Sequence, residues 1–354
     1  MHIRTQMHRG HAIIENLSRA RCMSTSTSST ALASHVLNSY TTAAPSLQDL
    51  DRANRYFTNG PVAFLFSASK LPNIPIDSKI PEIAFLGRSN VGKSSLLNAL
   101  LNKKNAKIAH ESKHPGRTKT MNFFGVGPAA EVPGTRRVAK KGQSLEMLEK
   151  AGSKELKKGT EVRNVIGQGG GIVVVDCPGY GFGSKEAWGD VVIRYLQKRK
   201  QLAIAYLLVD INVGLKKSDE QTLELLREAN TPHQIILSKV DKVLFPSGKL
   251  DMERLSQRIE RLDDMRRNFK TKVLDQFAGT SLCTDILCTS SNNLPLGKYK
   301  RIGIEELQYA ALHTAGLFGE GKEIDNYEKE RELSEYHGIV SWDQLGDLNT
   351  AIKS

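Results

Sequence analysis

One short segment of the chain has the spacing of a phosphate-binding loop. Gly87-Arg-Ser-Asn-Val-Gly-Lys-Ser94 fits the pattern G-x-x-x-x-G-K-[S/T] in full. In such a loop the backbone N–H groups surround phosphate oxygens, and the dipole of the following helix adds positive potential. Lys93 would neutralise the terminal phosphates, and the Ser94 hydroxyl would bind Mg²⁺. The predicted phosphate-binding residues are Gly87, Arg88, Ser89, Asn90, Val91, Gly92, Lys93, Ser94 and Ser95.

A second motif follows an apolar run at 171–175. Asp176-Cys-Pro-Gly179 has the form D-x-x-G, in which the carboxylate reaches Mg²⁺ and the glycine N–H senses a γ-phosphate. Alone this tetrapeptide is a common turn at the end of a strand. When it follows a phosphate loop in the sequence, it indicates a site for a nucleoside triphosphate. We therefore add Asp176, Cys177, Pro178 and Gly179 to the predicted site, with Ser94 and Asp176 as metal ligands.

A third motif would select the base. In Ser238-Lys-Val-Asp241 the carboxylate of Asp241 can accept hydrogen bonds from the ring N–H and the amine of guanine. Adenine presents the opposite pattern and would leave that charge unpaired. The first residue of this motif is usually asparagine or threonine, but here it is Ser238. The predicted base-binding residues are Ser238, Lys239, Val240 and Asp241, with a backbone N–H from Ser290 or Ser291 to guanine O6. The motif predicts GTP and GDP as ligands and argues against an ATPase or kinase.

Strand and helix patterns alternate along the chain. Predicted strands lie at 62–67, 81–86, 121–126, 171–175, 203–209, 233–237 and 285–289. Predicted helices lie at 47–57, after the phosphate loop, and at 188–199, 219–229, 250–277 and 304–317. This alternation predicts an α/β fold: a doubly wound, mostly parallel sheet of the P-loop GTPase type.

Composition divides the rest of the chain. Residues 1–46 carry Arg4, Arg9, Arg19 and Arg21 but one acid, and serine and threonine crowd 24–30. This composition predicts a mitochondrial or chloroplast transit peptide, with an untargeted disordered tail as the alternative. We expect a domain at 47–318 with an insertion at 128–170, then an acidic tail at 319–354.

Charge and hydropathy limit the partners. The net charge of +12 suits a polyanionic partner such as nucleic acid or an anionic membrane surface, although solubility alone could explain part of it. No apolar run reaches the ~18 residues that a spanning helix needs, so we expect no integral membrane association. The four cysteines form no C-x-x-C pair, which argues against a zinc site. We expect a monomer.

The chain resembles the EngB family of GTPases. Five motifs carry the resemblance, which covers about residues 60–127 and 171–318. They are the 81–98 stretch around the phosphate loop, Pro115-Gly-Arg-Thr118, Asp176-Cys-Pro-Gly-Tyr-Gly181, Arg194-Tyr-Leu-Gln-Lys-Arg199 and Ser238-Lys-Val-Asp-Lys242. The resemblance implies a G-domain that hydrolyses GTP and helps to assemble the large ribosomal subunit, with ribosomal RNA or a large-subunit precursor as its partner. Together with the N-terminal residues, it implies an organellar member, in the mitochondrial matrix rather than in a plastid. It also implies that Pro115, Gly116, Arg117 and Thr118 form a switch, with Thr118 closing on Mg²⁺ and the γ-phosphate.

The catalytic residues are less complete. Many GTPases place a glutamine after D-x-x-G to orient water, but Tyr180 stands there, which predicts slow intrinsic hydrolysis. Lys93 and Thr118 would stabilise the transition state. Asn90 matches the asparagine with which related GTPases hold K⁺ beside the phosphates; alternatively, it only supports the loop. A ribosome precursor could also act as activator.

Basic residues at two helix ends are candidates for RNA contact. They are Lys198, Arg199 and Lys200 at one helix, and Arg266, Arg267, Lys270 and Lys272 at another. Each could equally be a solvated residue favoured by the helix dipole. Three rival functions remain: a regulatory switch unrelated to ribosomes, a P-loop ATPase or kinase, and a scaffold that binds GTP without hydrolysing it.

Overall fold

The computed structural model describes residues 38, 40, 44–70, 74, 80–101, 120–127, 171–180, 189–279, 281–293 and 301–318. Four predictions fall wholly or mostly outside these residues. They concern the leader at 1–46, the switch at 115–118, the insertion at 128–170 and the acidic tail at 319–354.

A seven-stranded sheet forms the centre of the described structure. Its strands are β1 Val62–Ala68, β2 Glu82–Gly87, β3 Met121–Val126, β4 Ile172–Asp176, β5 Leu202–Asp210, β6 His233–Ser238 and β7 Leu282–Cys288. Their order is β1-β3-β4-β2-β5-β6-β7. The pairs from β4 to β7 are parallel, whereas β3 is antiparallel to both β1 and β4. The predicted mostly parallel, doubly wound sheet is confirmed.

Helices connect the strands. They are α1 Leu47–Asn59, α2 Lys93–Leu100, α3 Gly189–Lys198, α4 Lys217–Glu228, α5 Asp241–Leu244, α6 Met252–Phe277 and α7 Ile304–Thr314. The predicted helices are all present among them. The short helix α5 was not predicted, because one turn is too short to show an apolar period.

Apolar side chains cover both faces of the sheet. On one face, α3, α4 and α6 contribute residues such as Leu196, Leu223 and Leu262. On the other, α1, α2 and α7 contribute Phe57, Leu97 and Leu307. Burial of one such side chain stabilises the fold by roughly 1.5–3 kcal/mol, so the two layers hold the sheet as a rigid platform.

The region before α1 belongs partly to this platform. Helix α1 begins with a capping box, in which the hydroxyl of Ser46 accepts from the N–H of Asp49 at 3.1 Å. Further upstream, the side chain of Asn38 is buried and accepts a 2.7 Å hydrogen bond from the N–H of Cys288 in β7. Asn38 and Tyr40 lie within the segment predicted as leader, so that segment contributes at least two residues to the folded domain.

The parallel strands place the predicted motifs together. Since β2, β4, β5, β6 and β7 run in one direction, their carboxyl ends share one edge of the sheet. Strand β2 lies between β4 and β5, at the point where the connections turn to opposite sides. Ligands of open α/β sheets bind at such a point.

Candidate nucleotide site

The phosphate loop leaves β2 through a conformation that requires glycine. Gly87 has a φ of 154°, and a Cβ there would lie 2.9 Å from Val91 Cγ1 and 3.1 Å from the Leu208 carbonyl oxygen. Gly92, with a φ of 101°, caps α2, which begins at Lys93. Asn90 adopts a left-handed φ of 66°, which asparagine tolerates better than most residues. The turn therefore delivers the chain directly into a helix N-terminus, the expected anion site.

Lys93 and Asp176 lie together at the sheet edge. Lys93 Nζ is 3.0 Å from Asp176 Oδ1, and both side chains are nearly buried. Apart from this ion pair, the carboxylate oxygen has no hydrogen-bond partner within the described residues. Carboxylate and hydroxyl oxygens are ligands that Mg²⁺ prefers, so Asp176 together with Ser94 fits that ion. Lys93 is placed to offset phosphate charge.

The D-x-x-G turn lies against the phosphate loop. A Cβ on Gly179 would come within 3.1 Å of the Ser89 N and Cα atoms, so any larger residue would require the phosphate loop to shift by a few tenths of an ångström. The N–H of Cys177 donates to the Phe85 carbonyl at 3.2 Å. Burial, and then the charge of Asp176, raises the pKa of the Cys177 thiol, which stays neutral. Cys177 therefore contributes its backbone rather than a ligand.

The base-binding loop is tied to the phosphate loop by two side chains. The Ser238 hydroxyl donates to the Val91 carbonyl at 2.9 Å. Lys239 Nζ donates to the Asn90 carbonyl at 2.7 Å and lies 3.0 Å from Asp210 Oδ2. Lys239 itself has a left-handed φ of 61°. These contacts hold the two loops in a fixed relation to each other.

Asp241 has a partner that the sequence did not reveal. Asn292 Nδ2 donates to Asp241 Oδ2 at 2.9 Å. By contrast, Ser290 is buried and its N–H donates to the Ile302 carbonyl at 2.9 Å, so this N–H is already used within the fold. Of the two predicted serines, Ser291 is the one whose N–H the structure leaves as a candidate for guanine O6. The run of polar residues after β7 was the signal that could have indicated Asn292.

Tyr180 does not take the place of the water-orienting glutamine. Its side chain is buried, and its hydroxyl donates to Asp219 Oδ1 at 2.7 Å. A side chain held in this way does not orient water at the γ-phosphate. The predicted switch residues Pro115, Gly116, Arg117 and Thr118 lie outside the described residues, so their roles stay predictions.

The structure corrects one predicted RNA contact and weakens others. Arg199 Nε donates to both carboxylate oxygens of Glu82, at 3.0 and 3.1 Å, and both side chains are nearly buried. Arg199 is thus a structural residue, because its guanidinium neutralises a buried carboxylate. On α6, Arg266 and Arg267 pair with Asp263, and Arg267 also with Asp264, which neutralises much of that cluster.

The fold and these three loops define a P-loop GTPase. A family model described as a 50S ribosome-binding GTPase matches residues 82–239, which contain the phosphate loop and the D-x-x-G turn and end within the base-binding loop. The probable GTP-binding protein EngB of Bartonella bacilliformis is 40% identical over 239 residues, covering 66% of this chain and 84% of that protein. Its counterpart in Bartonella tribocorum is 34% identical over 242 residues, with the same coverage. The chain belongs to the EngB family of GTP-binding proteins, and it binds GTP and hydrolyses it.

Solved structures also resemble the chain. A crystal structure of a probable GTP-binding protein engB matches with 18% identity and a TM-score of 0.34, covering 66% of this chain and 98% of that one. Among the described residues, none of the helices has the length and apolar character needed to cross a membrane.

Proposed function

We propose that this GTPase is an assembly factor for the large subunit of the mitochondrial ribosome. The observation that carries the proposal is the match of a family model described as a 50S ribosome-binding GTPase over residues 82–239, which span the phosphate loop and the D-x-x-G motif. A net charge of +12 suits binding to an RNA-rich particle. In this function the GTP-bound and GDP-bound forms would differ in affinity for an assembling particle.

Mg²⁺ is the proposed cofactor. Ser94 and Asp176 would hold it, and Thr118 would join them when the predicted switch closes. The ion would neutralise charge on the β- and γ-phosphates. The protein adds the positive charge of Lys93 to that of the ion. Lys93 Nζ lies 3.0 Å from Asp176 Oδ1, so the ammonium group is beside the proposed metal ligand.

Lys198 and Lys200 are the proposed RNA contacts that the structure favours. Both are exposed at the end of α3, whereas Arg199 between them is turned inward to Glu82. Exposed lysines can contact phosphates without first breaking a buried ion pair. We expect the affinity for assembly particles to fall as salt rises and to fall less steeply when both lysines are replaced.

The particle itself can be captured. Tagged protein is loaded with a non-hydrolysable GTP analogue or with GDP, mixed with mitochondrial extract, and recovered. We expect large-subunit ribosomal RNA and proteins with the analogue and much less with GDP. A matched control is the Asp241→Asn variant, which should recover no particle in either state.

A regulatory switch unrelated to ribosomes is the second candidate. If this candidate is correct, the capture experiment would recover a defined protein with the GTP analogue and no ribosomal RNA. That outcome would reject the ribosomal proposal while leaving the GTPase itself intact.

The mitochondrial location rests on the composition of the N-terminal residues and has a separate test. Residues 1–46 fused to a fluorescent protein should direct it to mitochondria, and replacement of Arg4, Arg9, Arg19 and Arg21 by glutamine should abolish import. Because Asn38 contacts β7, we expect removal of the leader to end before residue 38. Delivery to plastids, or no delivery, would contradict the proposal.

A further inference from the structure

Asp219 is a fully buried carboxylate at the start of α4 with partners from three parts of the chain. It accepts from the Tyr180 hydroxyl at 2.7 Å and forms an ion pair with Arg88 Nε at 3.0 Å. It also accepts from the N–H of Lys216 at 2.9 Å, which closes the first turn of α4. Arg88 belongs to the phosphate loop and Tyr180 directly follows the D-x-x-G motif. One carboxylate therefore connects two loops that meet the nucleotide.

The backbone of the same two loops is joined at this point. The N–H of Ser89 donates to the Tyr180 carbonyl at 2.9 Å, and the N–H of Tyr180 donates to the Gly87 carbonyl at 3.3 Å. Arg88 and Tyr180 form an isolated parallel bridge beyond the ends of β2 and β4. Gly179, whose N–H would meet the γ-phosphate, lies immediately before this bridge.

The backbone bridge supplies two hydrogen bonds between neutral groups. The side-chain contacts add an ion pair and a hydrogen bond to a charged acceptor, which are stronger than neutral hydrogen bonds. Burial, and then the negative charge of Asp219, raises the pKa of the Tyr180 hydroxyl, which therefore remains a donor. The carboxylate is fixed in turn by the N-terminus of α4.

We propose that Asp219 is a positioning residue for GTP recognition. Through Tyr180 and Arg88 it holds Gly179 against the phosphate loop, so that the Gly179 N–H is in place when a γ-phosphate arrives. GDP has no γ-phosphate and does not use this N–H. Asp219 thus sets the preference for GTP over GDP and the rate of hydrolysis without touching the nucleotide.

The most direct variant is Tyr180→Phe, which keeps the aromatic ring and removes the hydroxyl. We expect the ratio of GTP-analogue affinity to GDP affinity to fall about tenfold, as loss of a hydrogen bond to a charged group would give. We expect kcat to fall as well, whereas the Kd for GDP stays at the wild-type value. Fluorescent nucleotide titration and single-turnover hydrolysis of the purified protein measure both.

Tyr195→Phe is the matched control. Tyr195 is also a buried tyrosine whose hydroxyl donates to a carboxylate, that of Glu82 at 2.8 Å, but at the other end of β2. This variant should lose a similar amount of stability in urea and keep both the affinity ratio and kcat. It separates loss of positioning from general loosening of the fold.

Asp219→Asn provides a second, independent measurement. The amide keeps the shape but removes the charge that binds Arg88, so we expect the same change in ratio as in Tyr180→Phe or a larger one. An unchanged ratio in both variants would overturn the proposal, as would an equal change in Tyr195→Phe. A ratio that rises would also overturn it, because the contact would then favour GDP. These measurements need no ribosome and remain informative if the proposed cellular role fails.

Discussion

The hydroxyl of Ser238, at the end of β6, donates a 2.9 Å hydrogen bond to the carbonyl of Val91 in the phosphate loop. Residue 238 thus joins the loop for the base to the loop for the phosphates. The acceptor is a backbone carbonyl, so the position requires a donor that reaches it, and a hydroxyl satisfies this need. The contact gives a physical reason why serine can replace the usual asparagine or threonine here.

Removal of this donor should weaken the binding of GTP and of GDP to the same extent. Ser238→Ala leaves the carbonyl of the buried Val91 without its partner, at a cost of about 1–3 kcal/mol. Because GTP and GDP contact both loops, we expect the two Kd values to rise by the same factor. Thr231→Val is the control: its buried hydroxyl donates to the Leu196 carbonyl at 3.0 Å, away from the nucleotide. Unchanged affinity in Ser238→Ala would contradict the idea that the two loops depend on each other.

Base selection should depend on Asp241. Asp241→Asn replaces one acceptor by a donor that faces a donor of guanine, so we expect a roughly 100-fold loss of GTP affinity. A xanthine nucleotide carries a carbonyl where guanine has its exocyclic amine, so it should bind the Asp241→Asn variant more tightly than it binds the wild type. Competition titrations measure both. Asn292→Ala removes the amide that donates to Asp241 Oδ2 and should give a smaller loss without a change of preference. Equal binding of adenine and guanine nucleotides by the wild type would refute the assignment.

Arg199 should matter for stability rather than for RNA. Arg199→Ala leaves Glu82, whose side chain is 3% exposed, without its ion-pair partner, and such a change costs about 3–5 kcal/mol. Urea unfolding measures the loss. A double variant, Glu82→Gln with Arg199→Met, should recover much of it. Lys198→Ala with Lys200→Ala should leave the free energy of unfolding near the wild-type value. A stable Arg199→Ala protein would contradict the structural role.

Acid should destabilise the fold through His233. Burial lowers the pKa of His233, and its Nδ1 lies 2.8 Å from the Thr231 carbonyl oxygen. Below about pH 6.5 this histidine is protonated in the unfolded chain, whereas in the native state it stays neutral to a lower pH. The free energy of unfolding therefore falls as the pH decreases. The slope is at most about 1.4 kcal/mol per pH unit from one group.

Urea unfolding between pH 7.5 and 5 tests this effect. His233→Gln should flatten the dependence in this range, whereas His313→Gln, at an exposed position, should not. An unchanged slope in His233→Gln would show that other groups cause the acid sensitivity.

Potassium should accelerate hydrolysis if Asn90 holds it. We expect turnover in KCl to exceed turnover in NaCl at equal ionic strength by roughly tenfold, because a cation beside the phosphates offsets developing charge. Asn90 has a φ of 66°, so Asn90→Gly retains the backbone conformation and removes only the amide. That variant should lose the difference between the salts. Equal wild-type rates would leave Asn90 as a residue that supports the loop.

Much of the fold follows from local patterns. The apolar runs that became β4, β5 and β6 and the helical periods around Leu97 and Leu223 are properties of neighbouring residues, and they are visible without coordinates. The phosphate loop is equally local, since Gly87 to Ser94 form a continuous segment whose glycines are needed for its own turn. The sequence alone therefore determined the class of fold, the nucleotide and the residues of the phosphate loop.

The tertiary structure decided which distant side chains meet. Arg199 and Glu82 are 117 positions apart, Asp241 and Asn292 are 51 apart, and Tyr180 and Asp219 are 39 apart. No period or motif links these pairs, because each contact depends on the order of strands in the sheet and on the ends at which their loops emerge. For this reason a basic residue that suggested RNA proved to neutralise a buried acid. For the same reason, the sequence did not show that Tyr180, which has no amide to orient water, joins two loops.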